Sequence, residues 1–132
     1  MSPHTTLAAA AVLGGLAVAL GAFGAHALRG SVSEAALGWW STAADYHGRH
    51  ALALLACGLL GTVRPSGRAL RIAALAFVAG TTLFSGSLYL MAATDARWLG
   101  AITPLGGALL IAGWGALAAA ALRGAPPPSV EP

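Results

Sequence analysis

Hydrophobic residues in this chain fall into four long runs joined by short polar links. The first run covers residues 7–28 and meets no charge before Arg29. The second covers 43–63, the third 69–93 with Arg71 in its first turn, and the fourth 99–122. Runs of about 20 apolar residues are long enough to cross a bilayer core as helices. They are rich in Ala, Leu and Gly and lack the two-residue alternation of a barrel strand. The pattern predicts an all-α integral membrane protein, a four-helix bundle within residues 1–123. The links at 64–68 and 94–98 are so short that consecutive helices must run antiparallel, up and down. Residues 124–132 are Pro-rich and are expected to be a disordered tail.

The boundaries carry local signals. Ser33 followed by Glu34 reads as an N-cap with an acidic first turn. Trp39 and Trp40 then fit an interfacial belt. The helix from this point is expected to lie partly at the interface and enter the bilayer without a break. Arg64, Pro65, Ser66, Gly67 and Arg68 read as a tight turn. Ala25, His26 and Ala27 resemble a signal-peptide cleavage site. However, Met1 to Thr6 carry no Lys or Arg, and the run is longer than a usual signal core, so an uncleaved helix is expected.

Composition agrees with a membrane protein. The 132 residues are 58% hydrophobic and 8% charged, against roughly a quarter charged in soluble domains. All basic residues are arginines scattered between apolar runs, without the basic stripe a nucleic-acid surface needs. Nucleic acid is therefore excluded as a partner, and the lipid bilayer is the expected one. Arg64, Arg68, Arg71 and Arg123 fall at one end of the bundle. Arg29 and Arg97 fall at the other, beside Glu34 and Asp95. The positive-inside rule then predicts an inner-membrane protein with both termini cytoplasmic. Cys57 is alone and offers no disulfide or CxxC motif.

Small residues predict helix contacts. Ala10, Gly14, Ala17, Gly21 and Ala25 form one stripe at spacings of three and four. Ala76 with Gly80, and Gly106, Gly107 and Gly113, extend the pattern to the third and fourth runs. An interface with another copy or with a membrane partner is an equally physical use of such a stripe. Pro104 marks either a first turn or a kink.

The residues able to carry chemistry cluster toward the outer end. They are His26, then Asp45, Tyr46, His47, Arg49 and His50, then Ser85, Ser87 and Tyr89, and finally Thr103. Intramembrane polar groups usually face protein, so a shared site is geometrically open to these four sets. Asp45 and Arg49 are four apart, so Arg49 is expected to pair with Asp45 or to snorkel outward. One reading makes His26, His47 and His50 a metal site, or uses His26 and His50 for a metal, haem or quinone. Another makes His26, Tyr46, His50, Ser85, Ser87, Tyr89 and Thr103 a hydrogen-bond network that joins helices. A third, a proton relay or small transporter, needs an oligomer. No HExxH, GxSxG or phosphate loop is present. The network in a non-catalytic protein is the leading expectation, and no cofactor is assigned.

The same residues carry a family resemblance. Gly21 to Leu28 (GAFGAHAL), Tyr46 with His50 to Leu54 (HALAL), Leu83 to Leu90 (LFSGSLYL) and Leu99 to Gly107 (LGAITPLGG) stand in order along the chain. In these blocks it resembles the YgdD-like family of small bacterial inner-membrane proteins, domain of unknown function 423. The resemblance implies a four-helix membrane protein and no particular reaction. His47 stands where the family pattern accommodates Gln as readily, which fits a polar network better than a metal set.

Overall fold

The computed structural model describes residues 1–63 and 67–123. The turn expected at Arg64, Pro65 and Ser66 and the tail from residue 124 lie outside the described residues. Among the described residues there are four long helices and no strand. Helix α1 spans Pro3–Phe23. Ser2 caps it by accepting from the Thr5 amide at 3.2 Å, and Pro3 fills the first turn, where no amide is needed. The helix thus starts four residues before the expected boundary. It then widens into a π turn, Gly24–Leu28, which ends where the apolar run ends.

Helix α2 spans Glu34–Val63 without a break. Ser33 accepts from the Ala36 amide at 3.2 Å, in the capping role its sequence position predicts. Helix α3 spans Arg68–Thr94 and stops at Asp95, in the left-handed conformation at φ 52°. The fourth run opens with a 3₁₀ turn, Arg97–Ala101, before helix α4, Thr103–Leu122. Pro104 lies in the first turn of α4, so it starts the helix and does not kink it.

Three of the helical stretches, Pro3–Leu28, Arg68–Thr94 and Arg97–Leu122, are apolar and long enough to cross a membrane by themselves. Helix α2 is the exception, because Asp45, His47, Arg49 and His50 dilute its apolar run. The packing compensates for this. The helices pack in chain order, α1 on α2, α2 on α3 and α3 on α4, while among the described residues α1 and α4 make no extended contact. Helices α2 and α3 are therefore central. The buried residues of α2 include Ala36, Trp40, Ala43, His47, His50, Leu54 and Cys57. Their spacing of four and three in alternation is the seam of two helices that cross at a shallow angle. Opposite it, α3 buries Leu70, Ala74, Phe77, Thr81, Ser85, Leu88 and Ala92.

Glycines set the closest approaches. A Cβ on Gly106 would lie 2.7 Å from the Cα of Phe84, so α3 and α4 cross backbone to backbone there. Gly58 meets Leu7, Gly80 meets Leu110 and Gly113 meets Phe77, each too closely for a side chain. The predicted stripe on α1 is used only in part. Ala10 and Ala17 are buried, but Gly14 has open space around it. Gly106→Ala is expected to cost about 1–3 kcal/mol of stability through overpacking. Gly14→Ala, in open space within α1, should instead gain about 0.5–1 kcal/mol. Thermal unfolding in mild detergent checks the pair, and equal midpoints would contradict the crossing at Gly106.

Candidate functional site

His50 is the most constrained polar residue of the bundle. It sits on the α2 seam and is 6% exposed. Its Nδ1 lies 2.8 Å from the Tyr46 carbonyl one turn earlier. Its Nε2 lies 3.2 Å from the indole nitrogen of Trp114 on α4. A carbonyl can only accept and an indole N–H can only donate. The two contacts therefore fix His50 as the neutral Nδ1–H tautomer with both nitrogens engaged. Phe77 of α3 packs against both rings, with centroids 5.8 Å from His50 and 5.4 Å from Trp114. One imidazole thus ties α2 to α4 across an α3 aromatic.

The other polar residues form separate ties. The Ser87 hydroxyl donates to the Phe84 carbonyl at 3.0 Å and accepts from Thr103 at 2.8 Å, joining α3 to the start of α4. Trp40 donates from Nε1 to the Leu20 carbonyl at 2.8 Å, joining α2 to α1. Its ring lies so close to Gly24 that a Cβ there would be 2.5 Å from Trp40 Cδ1. The π turn of α1 begins at this contact. Trp40 also meets Tyr89 of α3 edge to face at 4.7 Å. Tyr89 reaches His47 Nδ1 at 3.5 Å, the outer limit of a hydrogen bond. Tyr46 stacks on Phe84 at 4.5 Å.

Among the described residues, three buried side-chain atoms have no hydrogen-bond partner: His47 Nε2, Thr81 Oγ1 and Ser85 Oγ. Their residues are 5%, 2% and 1% exposed. All three belong to the seam of α2 and α3, and they are the polar groups that the helix ties leave unsatisfied.

The sequence-predicted site residues are therefore divided among several contacts. Tyr46, His47, His50, Ser85, Ser87 and Tyr89 do line helix interfaces, and Thr103 joins them through Ser87. His26 does not. It stands exposed on the π turn, nine residues after buried Ala17 and so on the opposite side of α1 from the face that meets α2. The three-histidine metal set is not assembled. Among the described residues no group of three His, Cys, Asp or Glu side chains is placed to hold a metal, and both His50 nitrogens are engaged. Arg49 and Asp45 form the expected pair at 3.7 Å, exposed to solvent. Sequence reasoning missed Trp114 and Phe77, which sit inside apolar runs. Trp114 lies 64 residues from His50, and nothing local marks the pairing.

These features define a small multi-pass α-helical membrane protein. Residues 20–107 match the family DUF423, a protein of unknown function, and the chain belongs to that family. It is 43% identical over 108 residues to the UPF0382 membrane protein YwdK of Bacillus subtilis, covering 82% of this chain and 88% of that one. It is 44% identical over 109 residues to the UPF0382 membrane protein SERP0230 of Staphylococcus epidermidis, covering 82% and 87%. It is 37% identical over 127 residues to the UPF0382 inner membrane protein YgdD of Escherichia coli, covering 93% of each chain. No solved structure matches.

The indole–imidazole bond has a measurable signature. Trp114→Phe keeps the aromatic contact with Phe77 and removes the donor to His50 Nε2. It is expected to destabilise by about 1 kcal/mol, within the range of single hydrogen bonds in membrane bundles. A double-mutant cycle with His50→Leu should return a coupling of about 0.5–1.5 kcal/mol. A coupling of zero would mean that the contact contributes nothing.

Proposed function

We propose that this protein is a non-catalytic membrane component, a compact helical unit held in register by its buried polar residues. The saturated state of His50 is the observation that carries this reading. A residue poised for acid–base chemistry or metal binding needs a free lone pair or a transferable proton. Here the imidazole spends both nitrogens on the fold. Ser87 and Thr103 likewise satisfy each other, and no base approaches the Ser87 hydroxyl among these contacts. Such a unit serves as an accessory or assembly element within the membrane, alone, as a homo-oligomer or against a partner protein.

A second reading, binding of a metal, haem, quinone or other small ligand, finds its support in the orphaned seam atoms of His47, Thr81 and Ser85. The two readings separate in one experiment on the purified protein. The structural reading expects colourless, metal-free protein. It expects His50→Ala to lose about 2 kcal/mol of thermal stability, through the lost hydrogen bond and packing. It expects exposed His26→Ala to match the parent. Stoichiometric metal or a visible band that disappears in His47→Ala would replace it with the binding reading.

The membrane orientation belongs to the same proposal. Arg68, Arg71 and Arg123 stand at the end where Pro3 approaches Gly61, with Arg64 in the adjoining link. The positive-inside rule supports placing this end in the cytoplasm, together with both termini. In a Cys57→Ala background, Thr94→Cys should react with an impermeant maleimide added to intact cells, and Gly67→Cys should not. The reverse labelling pattern would invert the topology.

A further inference from the structure

The contact between α1 and α2 opens at its outer end into a cavity of about 300 Å³. This is the lower end of the size range of small-molecule sites. Gly21, Gly24 and Ala25 line it from the end of α1, and Ala44 and Trp40 from α2. These residues give it an apolar wall. Its rim is polar and is formed by Arg29, Ser41 and Asp45.

Its depth follows from the helix register. Pro3 stands level with Gly61, Ala17 with Gly48 and Gly21 with Ala44. Asp45 lies eighteen residues before Val63, the inner end of α2. At 1.5 Å per residue that is about 27 Å, close to the roughly 30 Å thickness of a hydrocarbon core. Asp45, Ala44 and Gly21 therefore lie at the hydrocarbon boundary, and Trp40, Ala25 and Arg29, further toward the same end, lie at headgroup level. Exposed Phe23 and the Trp39–Trp40 pair stand at the same end.

The charges select the occupant. Asp45 already faces Arg49 at 3.7 Å. Among the described residues Arg29 forms no ion pair, and no salt bridge joins it to Asp45 across the rim. One guanidinium is left to meet an anion beside an apolar slot. Arginine binds phosphate oxygens through paired N–H donors, and basic pockets between membrane helices hold anionic headgroups. We propose that this groove is a binding site for an anionic phospholipid, with the phosphodiester on Arg29 and the start of an acyl chain laid along Gly21, Ala25 and Ala44. The site lies in the leaflet at the Trp39 end, whichever side of the membrane that is.

Native mass spectrometry of the delipidated protein in detergent, titrated with phosphatidylglycerol or phosphatidylethanolamine, tests the proposal. The parent should retain phosphatidylglycerol in preference. Arg29→Gln should lower that retention about tenfold, the usual worth of one charge-assisted contact. Ala25→Leu, which fills the slot, should lower retention of both lipids. Arg97→Gln, at the same end but outside the groove, should leave retention unchanged. Thermal midpoints of all four proteins establish that each is folded. Equal retention by Arg29→Gln and Arg97→Gln would overturn the site. Equal retention of the two lipids by the parent would overturn the anionic preference. Displacement of phosphatidylglycerol by inorganic phosphate alone would overturn the lipid in favour of a free anion.

Discussion

The architecture depends on one constraint: α2 is too polar to face lipid and must be enclosed by protein. Its middle carries Asp45, His47, Arg49 and His50, and its apolar stretch after His50 is short. A buried polar group without a partner in hydrocarbon costs several kcal/mol. Placing α2 between α1 and α3 takes His47 and His50 out of lipid, where both His50 nitrogens find partners, and leaves Asp45 and Arg49 at the surface, paired with each other. Once α2 is central, the remaining order follows. Short links hold α1 and α3 beside it, and α4 can only cover the outer face of α3. From there Trp114 reaches across Phe77 to His50.

The same constraint explains the division of labour between glycine and the polar groups. Lipid supplies no hydrophobic drive for helices to associate, so close packing and hydrogen bonds must do it. Gly58, Gly80, Gly106 and Gly113 let backbones and side chains approach at the crossings. The hydrogen bonds of His50, Trp40 and Thr103 then select one register among many sterically similar ones. Each of these bonds joins a different helix pair, so together they tie the four helices into one chain of contacts.

Much of this was legible from the sequence. Four apolar runs, the Ser33 cap and the short links fix four antiparallel helices because helix length and capping are local properties. The polar residues were legible as a set, since charge and hydrogen-bonding capacity in an apolar run must be accommodated somewhere. Their partners were not. His50 and Trp114 meet through the order of helices around the bundle, which no local pattern encodes. The exposure of His26, by contrast, follows from helix phase: it lies nine residues after buried Ala17, on the opposite side of α1 from the contact face. The π turn at Gly24–Leu28 begins where Trp40 wedges against Gly24. Trp40 itself reads in sequence as an interfacial anchor, and its second role as a wedge depends on a contact twenty residues away.

The polar residues of this fold thus belong to two environments governed by different physics. Inside the bundle the dielectric is low, so a hydrogen bond is strong and an unmatched group is costly. Groups there are neutral and, apart from the seam atoms of His47, Thr81 and Ser85, matched by protein partners. At the rim, water and headgroups screen charge, so Arg29, Asp45 and Arg49 remain exposed at little cost. A charge in that position does little for the fold itself. Its capacity for interaction is directed outward, toward whatever the membrane surface presents. The wedge that Trp40 drives against the end of α1 connects the two environments. Its indole nitrogen closes an interior tie to Leu20, while the same side chain forms part of the wall of the open groove at headgroup level.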